Sequence, residues 1–310
     1  MMTKGLCIVL TDRCNAACEM CCFSCSPENN HVMDEALMFQ AIDQAAEVEG
    51  ISYIGFSGGE PFLYYDLLKN GLAHARLRGF ATSVATNGFW GSWPDEILQQ
   101  RLSALQIDKI FLSTDYYHQQ YVPGSSVERA ISAARTLGIS INVGIGETRS
   151  HTSGAHFQQM GDSKYLLAFY TYPYIRAGRA AGFPEAEFFQ PSEIPVERCA
   201  SNGLISVMYD GKVFPCCKQQ VFSTALTLGN LYNSSLKDIL SSSDNAALMR
   251  CLSNPRCLRK MLEEKGLTGP FQSACDSCSS IFGDGNSLES LMPLIHAADS
   301  QIAADQLLGR

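Results

Sequence analysis

Thirteen cysteines partition this 310-residue chain, and no other feature constrains its fold and chemistry as tightly. Six lie between Cys7 and Cys25, seven between Cys199 and Cys278, and the long middle has none. A disulfide framework is not expected, because a chain of this length can bury an ample core. The net charge of -8 argues against nucleic-acid or anionic-membrane binding. The apolar run after Gly5 ends at Thr11-Asp12-Arg13, too short for a signal sequence or a membrane span. The expected location is the cytoplasm, where metal or redox chemistry is the better reason for so many thiols.

The cysteine-poor part has a rhythm. Short apolar runs stand at Leu6–Leu10, Ser52–Phe56, Ala81–Ala85, Lys109–Ser113, Ser140–Ile145 and Leu166–Tyr172. After the first interval they recur about every thirty residues, the length of a βα unit. Asp34 can cap a helix whose Leu37, Ala41, Ala45 and Val48 share one face, stopped by Gly50. Ser125 and Glu128 have capping-box spacing before a helix expected to end at Gly138. The fold class is therefore α/β: a partial (β/α)6 TIM-like barrel with its chemistry at the C-terminal ends of the strands. Past Arg179 the pattern changes. Leu204–Tyr209, Asp210-Gly211 and Lys212–Phe214 read as a β-hairpin, followed by irregular sequence to Cys278 and a helix from Ser287. The expected units are a barrel over 1–181, a linker over 182–198, a small Cys-rich region over 199–286 and a terminal helix over 287–310.

Directly after the first run stands Arg13-Cys14-Asn15-Ala16-Ala17-Cys18-Glu19-Met20-Cys21. Three thiolates on one loop can hold three irons of a 4Fe–4S cluster, which ordinarily takes four cysteines. The missing ligand leaves one iron open for chemistry. Cys18, Cys22 and Cys25 repeat the same spacing, and a zinc knuckle or ligand-free buried thiols are the other readings. The motif resembles the CxxxCxxC loop of the radical S-adenosylmethionine (radical SAM) superfamily. That resemblance favours Cys14, Cys18 and Cys21, since Cys-Asn after the first strand is the family's usual opening. It implies S-adenosyl-L-methionine on the open iron, a 5′-deoxyadenosyl radical, and a low-potential electron donor (flavodoxin or ferredoxin).

Further motifs end the next strands. Gly58-Gly59-Glu60 matches the family motif that holds the amino group of S-adenosylmethionine, though a Gly-Gly turn alone is weak. Asn87, Ser113 and Asp115 carry short polar side chains suited to the ribose or the methionyl carboxylate, and equally to caps and turns. His118 is a further candidate on the substrate side, with a structural role as its alternative. Arg176 and Arg179 could pair with a carboxylate of the cofactor or a peptide. At the other end, Cys199, Cys216, Cys275 and Cys278 could saturate a second 4Fe–4S auxiliary cluster, with a structural zinc site as the alternative. Cys217 is left over, and Cys251 and Cys257 are alternative ligands or plain thiols. This arrangement looks like a shortened SPASM or twitch-type extension.

A finer likeness spans nearly the whole chain. Cys21-Cys22-Phe23-Ser24-Cys25-Ser26-Pro27, Asn87-Gly88-Phe89-Trp90-Gly91 and Pro215-Cys216-Cys217 resemble stretches of YydG-type peptide epimerases. The resemblance implies abstraction of Cα–H from an L-residue of a ribosomally made precursor peptide. Cys217 would then return a hydrogen atom to give the D-residue. Cys251 and Cys257 have no match in that pattern and keep a peptide cyclase, forming C–C or thioether cross-links, as the alternative. A non-enzymatic iron–sulfur or zinc module is the third. The chain opens directly on its first strand, so the barrel cleft or C-terminal region is expected to recognise the peptide.

Overall fold

The computed structural model describes residues 4–152, 167–189, 203–283 (apart from 219, 220, 223, 270 and 272) and 288–307. The six apolar runs become β1 (Gly5–Val9), β2 (Tyr53–Ser57), β3 (Ala81–Thr86), β4 (Lys109–Ser113), β5 (Ser140–Glu147) and β6 (Leu167–Pro173). They are parallel and neighbour one another in chain order. The helices between the first five are α1 (Glu35–Ala46), α2 (Tyr65–Leu77), α3 (Asp95–Leu105) and α4 (Gly124–Thr136). Sequential order with crossovers of one hand puts every helix on the same face of the sheet. Leu6, Ile8, Ile54, Phe56, Val84, Ile110 and Val143 accordingly pack against Leu37, Leu72, Leu98 and Ile131 in one core. The opposite face carries mainly small or polar residues, among them Cys7, Gly55, Ser83, Ser113 and Gly144, with Tyr53 and Phe111 on the same side. That bare face is the lumen of a partial barrel.

Two helix signals fared differently. Asp34 caps α1 by accepting from the Ala36 N–H at 2.9 Å. The Ser125–Glu128 capping box does not form, because α4 begins earlier, at Gly124 after Pro123. The proline sets the entry angle instead.

The C-terminal part is neither irregular nor a sheet of its own. β7 (Leu204–Met208) pairs in parallel with β1, and β8 (Lys212–Phe214) and β9 (Gly229–Asn230) follow antiparallel. One nine-stranded mixed sheet therefore runs β6-β5-β4-β3-β2-β1-β7-β8-β9, crossing from the barrel into the Cys-rich region. Four helices fill the stretch expected to be irregular: α5 (Leu236–Ser241), α6 (Ser243–Leu252), α7 (Pro255–Glu264) and α8 (Ala274–Phe282). Each had a cap in the sequence, at Ser235, Ser242, Asn254 and Ser273. α9 (Leu288–Leu307) closes the chain as expected. Cys251 and Cys257 form a disulfide between α6 and α7 with both residues buried, so they pair with each other in apolar packing.

Trp90 is fully buried beside Phe62, with ring centroids 4.8 Å apart, on a 3-10 turn that lies against α4. The approach is so close that a Cβ on Gly91 would stand 1.9 Å from the Ser126 carbonyl oxygen. Gly91→Ala should therefore destabilise the fold by about 1–3 kcal/mol. The check is a lower urea midpoint with an unchanged slope.

Candidate functional site

β1 delivers the cysteine loop to the barrel mouth. The loop folds back on itself, with the Cys14 N–H donating to Ser26 O at 3.1 Å and the Cys21 N–H to Cys18 O at 3.0 Å. Cys14, Cys18 and Cys25 are buried and Cys21 is half-buried, in a small cluster with Met20, Tyr174 and Phe188. Burial pushes the Cys14 thiol up to about 12, and Glu60 and Cys21 add to the shift. Cys18 is likewise pushed up to about 12 by burial, with Cys14 and Cys21 adding. A hydrogen bond from Cys25 lowers Cys21 to about 6, while Cys25 itself is driven upward by the same contact. The loop thus brings Cys14, Cys18 and Cys21 together and adds Cys25, which the family resemblance had left aside. Cys22 turns to the Met20 carbonyl at 3.8 Å and lies near Tyr172 and Tyr174.

These residues suit an iron–sulfur cluster. The donors are all sulfur, the set that iron–sulfur clusters take and hard cations avoid. Bound iron offsets the cost of ionising buried thiols, because the thiolate is the ligating form. Among the described residues no three His, Cys, Asp or Glu side chains converge on a single ion. A four-iron cluster takes each thiolate on a different iron and needs no such convergence.

Gly58 and Gly59 lie directly on the loop. The Gly59 N–H donates to Thr11 O at 2.7 Å, and a Cβ on Gly59 would stand 2.1 Å from Arg13 O. The glycines are thus required by loop-on-loop packing. Glu60 is fully buried and accepts from the Phe62 N–H at 3.1 Å, Thr86 Oγ1 at 2.9 Å and the Asn87 N–H at 2.8 Å. Burial nevertheless pushes its carboxyl up to about 7. Asn87 Nδ2 donates to Asn15 Oδ1 at 2.9 Å and reaches Cys14 Sγ at 3.7 Å. Asn87 therefore touches the cysteine loop itself.

At the end of β4, Ser113 hydrogen-bonds the Tyr172 hydroxyl. Asp115 is fully buried and accepts from the backbone N–H groups of Tyr117 and His118 at 2.9 and 3.0 Å. It also accepts from His118 Nδ1 and the Tyr174 hydroxyl, both at 2.7 Å. His118 is thus the ion-pair partner of Asp115. Arg179 donates to carbonyls of the cysteine loop, while Arg176 is exposed.

In the C-terminal set, Cys199 lies outside the described residues. Cys275 and Cys278 stand one turn apart on α8, hence on one side of it. The Cys216 carbonyl accepts from Ser206 Oγ. Cys216 and Cys217 lie close enough to Cys7 to raise its thiol, after the larger effect of burial. Tyr53, bonded to Ser83, feels both Cys7 and Cys217. Sequence reading gave no role to Cys7 or Tyr53. Nor did it assign Tyr170 and Tyr172 on β6 or Tyr174 just beyond its end, whose successive ring centroids are 6.0 and 5.9 Å apart. Their period of two was the available signal.

Two family patterns match the chain: the Radical SAM superfamily over residues 8–151 and an iron–sulfur cluster-binding (SPASM) domain over residues 199–279. This chain belongs to the radical SAM superfamily. It is a radical SAM enzyme, which removes the reading as a non-enzymatic module. YydG of Bacillus subtilis (strain 168), named for peptide biosynthesis, is 26% identical over 308 residues, 94% of this chain and 96% of that protein. The PqqA peptide cyclase of Xanthomonas oryzae is 35% identical over 105 residues, 34% of this chain and 27% of the cyclase. The solved structure of anSMEcpe with bound AdoMet and Cp18Cys peptide shares the fold at a TM-score of 0.55 and 16% identity. It covers 96% of this chain and 99% of that one. Among the described residues, no helix is long and apolar enough to cross a membrane.

The Asp115–His118 pair gives the mouth a pH signature. Burial opposes both charges and is the largest single influence, but their attraction and hydrogen bonds outweigh it. Asp115 is held below 3.8 and His118 above 6.5. The acid's contribution is lost as pH falls through its lowered pKa, and the histidine's as pH rises through its raised one. The stability advantage of the parent over His118→Gln should peak between about pH 4 and 6.5 and shrink at higher pH. Urea titrations of both proteins across that range test this.

Proposed function

We propose that this radical SAM enzyme modifies a ribosomally made peptide held in the barrel lumen. With Cys14, Cys18 and Cys21 holding a 4Fe–4S cluster and S-adenosylmethionine on its open iron, the site would supply a 5′-deoxyadenosyl radical to remove a hydrogen atom from the peptide. The chain's own residues do the rest. Asn87, Ser113 and Asp115 end neighbouring strands at the mouth and are the candidates for the cofactor's polar groups, with Gly58–Glu60, at the end of β2, packed against the cysteine loop.

The reading the geometry supports best is epimerisation. Its carrying observation is Cys217, close enough to Cys7 and Tyr53, which share the helix-free face of the sheet, to raise the pKa of both. A thiol there can return a hydrogen atom to a planar Cα radical from the side opposite the abstraction, inverting the residue. The near full-length likeness to YydG supports the same family of peptide substrates.

A second reading is a cyclase that closes a C–C or thioether cross-link. The relatives' names back it better than epimerisation, because peptide and nucleotide cyclases recur among them. Those matches span only about a third of this chain. In that reading Cys199, Cys216, Cys275 and Cys278 hold a second cluster that suits removal of a surplus electron. A flavodoxin or ferredoxin is the electron donor in either.

Anaerobic reconstitution with dithionite and S-adenosylmethionine should yield 5′-deoxyadenosine; none formed, with or without peptide, would remove both readings. Mass spectrometry of the peptide in deuterated water then separates them. Epimerisation adds one deuterium per event, and cross-linking removes two hydrogens. Cys217→Ala should still cleave S-adenosylmethionine but lose D-residue formation. A variant that epimerises at the parent rate would exclude Cys217 as the donor.

A further inference from the structure

We propose that Arg179 is a positioning residue that clamps the cysteine loop from across the barrel mouth. The inference rests on that loop carrying the radical-generating cluster, and it assigns Arg179 to the protein backbone in place of a cofactor or peptide carboxylate. β6 ends at Pro173, and the chain then returns over the mouth toward β1. Tyr174 starts this return, its N–H donating to Glu147 O at 2.9 Å and its hydroxyl to Asp115. Phe188, fully buried in the cysteine cluster, anchors the far end.

Between these anchors, Arg179 holds three loop carbonyls. Its backbone N–H donates to Cys21 O at 3.0 Å, Nε to Cys18 O at 3.0 Å, and Nη2 to Cys25 O at 2.6 Å. Gly178 allows the approach. It has φ +55°, and a Cβ there would stand 2.3 Å from Cys22 O. The backbone–backbone bonds between Cys18 and Cys25 are short-range turns, Cys21 N–H to Cys18 O and Ser24 N–H to Cys21 O, beside the hydrogen bond from Cys25 to Cys21. Such turns do not fix the separation of Cys18 from Cys25. A guanidinium does, because its planar fork offers donors in two fixed directions. Lysine keeps the charge but presents a point donor that cannot reproduce the fork.

Arg179→Lys is therefore the decisive variant, with Arg179→Met beside it. Wild type and both variants are reconstituted anaerobically and reduced with dithionite. Their EPR spectra with and without S-adenosylmethionine identify the signal that responds to the cofactor. Iron loss to a ferrous chelator is then followed in that signal and in any unresponsive one. The expected result for Arg179→Lys is loss of the responsive signal about tenfold faster than in wild type, with the other signal unchanged. A far-UV spectrum like that of wild type accompanies it. Loss at the wild-type rate with an unaltered response to S-adenosylmethionine overturns the clamp, as does equal acceleration of both signals. Should Arg179→Met fail to fold, Arg179→Lys decides alone. A wild-type protein with no responsive signal would instead count against the cluster reading itself.

Discussion

Strand β1 is hydrogen-bonded on both edges, to β2 and to β7, and the position of the cysteine loop depends on that double pairing. The register sets Cys7 between Gly55 and Ser206, so the lumen at this level is lined by small side chains. Leu6 and Ile8 then face the helices, where both are fully buried. A slip of one residue would exchange these faces and send the leucine and isoleucine into the lumen. Hydrophobic burial thus fixes the register, and the register fixes where Cys7 points and where the loop begins. β7 brings Cys216 and Cys217 to the same level through the tight turn at Asp210-Gly211, joining the two cysteine regions in one sheet.

Around the mouth, the polar groups are tied to one another more than to solvent. Glu60 links the end of β2 to Thr86 and Asn87 at the end of β3, and Asp115 links β4 to Tyr174 beyond β6. Each carboxylate is fully buried and accepts several hydrogen bonds, the condition under which burial of a charge is tolerable. The strand ends are therefore cross-braced by side chains that the sequence presents as ligand-binding motifs. A motif residue can serve a bound cofactor by holding the walls of its site, without spending its own hydrogen bonds on the ligand.

Much of this was legible in the sequence. The six apolar runs anticipate β1–β6 within a residue or so, and Asp34 and the Asp210-Gly211 turn behave as their local chemistry predicts. Local signals were also overlooked. Ser235, Ser242, Asn254 and Ser273 mark four helix starts that the cysteine pattern overshadowed, and the tyrosines of β6 announce a strand face by their period. The Ser125–Glu128 spacing misled, because the helix already starts two residues earlier, with Pro123 at its N-cap.

What the sequence determined by itself was the class of fold and the kind of chemistry. Periodicity is a local property, and three thiols within eight residues share a loop whatever surrounds them. Tertiary structure alone decided the partners: Cys25 beside Cys21, Cys251 with Cys257, Cys217 near Cys7, and Arg179 on the loop carbonyls. The last two join residues far apart in the chain, whose approach depends on strand order, register and crossover path. No spacing along the chain encodes them, because they exist only once the sheet has brought its edges and loops together.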